Sequence, residues 1–201
     1  MRRLPNALFF VLLAILATGL VGGLGARTTI ETLGRAFNDS RFVSLPWIVL
    51  PVIGLLERHG LKERAAAIIG RMQGATTGRL LLAYLAFRQL SAALGLVSIA
   101  GQAQTVRPIL APMAEAASGS DDPAIRETIR AHAAAADNIG LFFGEDIFLA
   151  IASILLIRAF LADNGIALEP IALSVRAIPT AILAFVIHGA RLLWLDRKLK
   201  R

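Results

Sequence analysis

The chain has no cysteine, one tyrosine, two tryptophans and three histidines, and only 17% of its residues are charged. Without cysteine there is no disulfide frame, no thiolate metal site and no redox pair. His59, His132 and His188 lie far apart, with no HExxH spacing, so no zinc-site motif is present. The glycine cluster at 19–25 sits inside an apolar run and lacks the Lys-Ser/Thr that completes a phosphate-binding loop. No serine or histidine forms a nucleophile elbow. The sequence therefore predicts no enzyme, no resident cofactor and no metal.

What it has in excess is apolar surface. Hydrophobic residues make up 56% of 201, and mean hydropathy is +0.67. Soluble proteins average about 45–50% apolar and about 25% charged residues. A chain this short has too much surface per volume to hide the surplus from water. The composition predicts an all-α polytopic membrane protein whose first partner is the lipid bilayer. The net charge of +7 does not point to nucleic acid, because the basic residues stand singly between apolar runs. The one basic cluster, Arg197, Lys198, Lys200 and Arg201, follows an apolar segment, as the positive-inside rule places cytoplasmic tails.

Read as one membrane domain over 1–201, the chain offers spans near 4–26, 42–56, 80–101, 139–161 and 171–195, with a polar, broken segment at 102–118. The first run is long enough to cross, roughly 34 Å as a helix, and reads as an uncleaved span rather than a signal peptide. Ala14, Thr18, Gly22 and Ala26 form a small-residue stripe on it. Trp47 and Trp194 fit interfacial anchors. The stretch 57–79, with Arg58, Lys62, Arg64, Arg71 and Arg79, suits either a cytoplasmic surface helix or a solvated loop. Ser118 to Pro123 reads as a turn before an Ala-rich helix, and Asp163-Asn164-Gly165 as another turn.

Topology does not close on these spans. The amino terminus, the 57–79 stretch and the basic tail all belong in the cytoplasm of a bacterial inner-membrane protein. Three spans between Arg79 and Arg197 leave the tail outside. Five or six spans are therefore expected, with a re-entrant hairpin, a discontinuous helix, or 102–117 crossing as well.

Charges inside spans need partners or a water-lined cavity. In Asp137-Asn138-Ile139-Gly140 through Gly144-Glu145-Asp146, the carboxylates and glycines predict a discontinuous helix. Asp137, Glu145 and Asp146 would there couple Na⁺ or a proton; the plainer alternative is that Glu145 and Asp146 mark the membrane surface. Arg88, Ser91, Ala92, Gly95, Ser98 and Gln102 follow one helical face. A helix starting near Pro108 would aim its free N–H groups, with Arg107, at an anion. Arg88, Gln104, Thr105, Arg107 and Asn138 are thus the candidate substrate-binding residues. Their plainer reading is a polar interhelical face, with Arg88 paired to Glu145 or Asp146.

Three stretches carry a family resemblance: Pro51 to Arg64, Arg88 to Gly95 continuing into Gln104 to Glu115, and Arg130 to Ile147. Together they resemble the bacterial membrane family domain of unknown function 969. The resemblance implies a 5-oxoproline (pyroglutamate) permease subunit, encoded beside a second, larger membrane subunit and often near 5-oxoprolinase genes. Arg88 or Arg107 would then hold the substrate carboxylate, and Gln104, Thr105 and Asn138 its lactam. The alternative is a membrane scaffold that stabilises a partner permease without transporting.

Overall fold

The computed structural model describes residues 7–39, 45–71, 75–148 and 151–199. Arg2, Arg3, Arg41, Met72, Lys200 and Arg201 lie outside the described residues, as does the side chain of Trp47. Every described element is helical: α1 (Ala7–Val21), α2 (Ala26–Asp39), α3 (Leu45–Arg58), α4 (Leu61–Gly70), α5 (Thr77–Ala93), a π-helix (Gln102–Leu110), α6 (Ala111–Ser118), α7 (Pro123–Glu145), α8 (Ala152–Asp163) and α9 (Pro170–Leu199). Among these, α9 alone is long and apolar enough to cross a membrane, and the run Phe9–Val21 in α1 is a shorter apolar helix.

The chain divides into two compact units, 1–44 and 45–201. In the first, α1 ends at Val21 and Gly23 turns the chain at φ 80° into α2. The small-residue stripe therefore stops before Ala26, which opens the next helix. Gly19 makes the close approach instead, since a Cβ there would lie 2.5 Å from Thr29 Cγ2. In α2, Ile30, Leu33 and Phe37 recur on one helical face.

The second unit is a bundle around α5. Its contacts fix the direction of each segment. Thr77 Oγ1 donates to the Ala114 carbonyl (2.9 Å) and the Tyr84 hydroxyl meets the Ala100 carbonyl, so the π-helix and α6 run back along α5. Gly140 sits against Leu85 and Arg88, and Gly144 against Gln89 and Ala92, so α7 runs parallel to α5. Gly189 meets Leu82, while Gln89 Nε2 donates to the Ala181 carbonyl (2.9 Å), so α9 is antiparallel. The start of α5 and the end of α9 therefore coincide. Asp196 of α9 accepts from the Gly78 N–H (2.6 Å) and the Thr76 hydroxyl, capping the first turn of α5.

Between Arg79 and Arg197 the bundle is traversed four times, by α5, by the π-helix with α6, by α7 and by α9. The segment 102–118 is a full return leg rather than a loop.

Three local expectations need correction. The helix expected through Gly101 stops at Ala93, because Gly95 at φ 79° closes a C-terminal turn in which Leu96 N–H bonds Ser91 O (2.9 Å) and Gly95 N–H bonds Ala92 O (2.8 Å). Gly95, Ser98 and Gln102 therefore leave the face that Arg88 and Ser91 share. The break expected at Asp137–Asp146 is absent, since α7 continues to Glu145; the chain leaves the helix at 146–148 instead. No helix begins at Pro108, which lies inside the π-helix. The turns at Ser118–Pro123 and Asp163–Gly165 are where expected. Asp122 Oδ1 accepts from Ala124 N–H (2.9 Å), with Pro123 at the first helical position.

Candidate functional site

The site grows from two residues one turn apart on α5. Tyr84 and Arg88 stand at i and i+4 and so share a face. Both are buried against α7, where Asp137 meets them. Arg88 Nε lies 2.8 Å from Asp137 Oδ1 as an ion pair, and the same oxygen accepts from the Tyr84 hydroxyl at 2.6 Å. Gly140 makes the pairing possible. A Cβ there would lie 3.0 Å from Arg88 Cβ and Cγ, so glycine leaves the room that the arginine stem fills.

Arg88 and Tyr84 also reach backbone carbonyls. Between α5 and the π-helix, residues 94–101 are non-helical, and their carbonyls would be orphaned inside the bundle. Arg88 Nη1 donates to the Val97 carbonyl (2.9 Å) and to that of Ile99. Tyr84 holds the Ala100 carbonyl, so its single proton is shared between that oxygen and Asp137. Ala100 sits at φ 59°, a left-handed conformation that costs a non-glycine residue about 1–3 kcal/mol. Its burial and the Tyr84 contact hold it there. Asp137 supplies the negative charge that lets a buried guanidinium do this work.

The π-helix follows directly. The N–H groups of Gln104 (3.2 Å), Thr105 (2.9 Å) and Val106 (3.3 Å) all converge on the Gly101 carbonyl, which widens the turn. At the rim, the Ser98 hydroxyl donates to Glu57, and Lys62 pairs with Glu57 at 3.3 Å. The Ser98 bond, with the lysine charge, holds the Glu57 carboxyl below its usual range. On the opposite end, Arg130 reaches Glu115 with a forked pair of bonds (2.7 and 3.2 Å) and lowers that carboxyl likewise.

The candidate residues divide accordingly. Arg88 and Asp137 are brought together, and Thr105 is buried on the π-helix. Gln104 and Arg107 are exposed on that helix, and Asn138 is exposed on α7. Glu145 and Asp146 are half-buried at the end of α7, and neither is the ion-pair partner of Arg88, which Asp137 is instead. Asn138 and Glu145 line a shallow depression of about 410 Å³ with Leu141 and Phe142. Among the described residues, no three His, Asp or Glu side chains gather as a metal site.

One feature escaped the sequence reading. Tyr84 was legible only as the single tyrosine, one turn before Arg88 in an apolar run. Gln89, visible in sequence as the polar residue beside Arg88 in the 80–101 run, is buried between α5 and α9 with its Oε1 unpartnered.

No curated protein and no solved structure matches the chain. A family match does cover it, over residues 3–200, to the family described as Protein of unknown function (DUF969). With nearly its whole length matched, the chain belongs to the DUF969 family.

Proposed function

We propose that the protein is a multi-pass inner-membrane subunit of an ion-coupled carrier for a small carboxylate, working with a second membrane subunit. One observation carries this reading: the Arg88–Asp137–Tyr84 set lies level with the middle of α9. Gln89, next to Arg88, bonds Ala181, one turn from the midpoint of Pro170–Leu199. If α9 crosses the bilayer, an ion pair gripping unwound backbone sits near the midplane. Broken helices and their free polar groups at that depth are where carriers bind substrate and ions.

Within this proposal Arg88 is a positioning residue, because its donors face Asp137 and backbone carbonyls. Arg107, Gln104 and Asn138 are the groups open to a carboxylate and its amide. Glu145 and Asp146 are the candidate carriers of the coupling Na⁺ or proton. The substrate 5-oxoproline follows from the family resemblance and fits one cation plus amide-type partners. The same internal satisfaction of Arg88 favours a second reading, in which the subunit only scaffolds a partner permease.

Uptake of labelled 5-oxoproline by cells producing both subunits separates the two. Glu145→Gln and Asp146→Asn should abolish uptake while expression and subunit association persist. Uptake surviving both changes would reject the coupling role. Deletion should abolish growth on 5-oxoproline as sole nitrogen source in a strain lacking other carriers; unchanged growth would remove that substrate.

A further inference from the structure

The seam between α5 and α9 holds a cavity of about 290 Å³. Ala86, Ala93 and Ala181 leave the space, Leu90, Ile182 and Phe185 flank it, and Gln89 is the polar residue among its lining. Gln89 is more than nine-tenths buried, and while its Nε2 is used on Ala181, its Oε1 has no partner. A buried acceptor left unmade costs about 1–3 kcal/mol. Water is a poor remedy, since it needs two or more polar partners in the cavity. An acyl chain has no donor to give.

The surface around the cavity is elongated. On α9, Ile171, Val175, Ile178 and Ile182 are exposed and lead to Phe185, in steps of four, three, four and three residues. That is the spacing of a helix-packing seam. Leu90 and Leu94 are exposed on the α5 side, at 67% and 69%.

From these observations we infer that the α5–α9 groove docks a transmembrane helix of the second membrane subunit, which inserts one side chain with an N–H or O–H donor onto Gln89 Oε1. The occupant is a helix because the apolar stripe extends several turns beyond the cavity. It carries a donor because the cavity offers one unmet acceptor. This inference rests on the two-subunit reading above but not on transport itself.

The test uses the photoreactive amino acid benzoylphenylalanine, placed singly at Leu90, Ile182 and Ile187, in cells making both subunits. Ile187 is also exposed (61%), but lies about 140° around α9 from Ile182. Irradiation should yield adducts with the second subunit, identified by mass spectrometry, from positions 90 and 182 and not from 187. Gln89→Leu should lower that yield about three- to fifteen-fold, as expected for one interhelical hydrogen bond in a membrane, with the variant's thermal unfolding showing that it folds. Adducts only with lipid, with a second copy, or within the same chain would overturn the inference. So would equal yields at 187, or no effect of Gln89→Leu in a folded variant. Adducts at 90 and 182 without uptake would keep the docking site and reject transport; uptake with adducts elsewhere would do the reverse.

Discussion

The two long faces of α5 are built on opposite principles. Toward α7 the seam is closed: Gly140 and Gly144 admit the partner helix to backbone contact, and the buried charges of Arg88 and Asp137 are paired, with Arg88 also donating to carbonyls. Toward α9 the seam is close toward the capped end, where Gly78 faces Leu192 and Asp196, and Gly189 lies against Leu82. Further along it opens into an apolar cavity beside an unmet amide oxygen. The first seam is held by paired buried charges, and the second leaves a buried acceptor unmet. A polar group in an apolar span is therefore informative only once its partners are counted. Arg88, the more conspicuous in sequence, has its ion-pair partner within the chain; Gln89, beside it, keeps an unpartnered acceptor.

This contrast can be broken at several points. Asp137→Leu should be the most damaging change, since it strands a buried guanidinium. The expected loss is about 3–5 kcal/mol, read as a collapse of thermal stability in detergent. Unchanged unfolding would mean that the pair is not buried as described. Gly144→Ala comes next. Its Cβ would fall 2.5 Å from the Gln89 carbonyl oxygen, so α5 and α7 must part, at about 1–3 kcal/mol. Tyr84→Phe keeps the ring and removes the hydroxyl, leaving the Ala100 carbonyl without a donor. About 1–3 kcal/mol should be lost, with faster hydrogen exchange over residues 96–106 than elsewhere in the bundle. Uniform exchange would separate Tyr84 from the broken segment.

These sites differ in how far the sequence reveals them. The start of α7 is legible because its signals are local: an Asp cap, then proline. Gly165 ends α8 for an equally local reason. Gly95 carries the same helix-stopping chemistry, but apolar residues on both sides disguise it as the interior of a span. The charges of Arg88 and Asp137 are visible in sequence, and so is their need for partners. Their pairing depends on the register of α7 along α5, which Gly140 and Gly144 set through space. That 102–118 runs back along α5 was legible only as one alternative among several for a polar, broken segment. Its π-helical turn depends on three N–H groups sharing one carbonyl, a geometry with no compositional mark.

The exposed Glu115–Arg130 pair offers the mildest test. Glu115 is held below its ordinary range by Arg130, so its stabilising contribution is present above the unfolded value and is lost as pH falls through the folded one. Acidification should erase the stability difference between the wild type and Glu115→Gln. A difference that grows on acidification would contradict the pairing.

The central claim is that Arg88 and Asp137 act as one buried unit. A double-substitution cycle measures it most directly, with thermal unfolding of Arg88→Met, Asp137→Leu and the double variant. Each single change should be severe, and the double should recover most of the loss, because an apolar pair leaves no stranded charge. Losses that simply add would contradict the account.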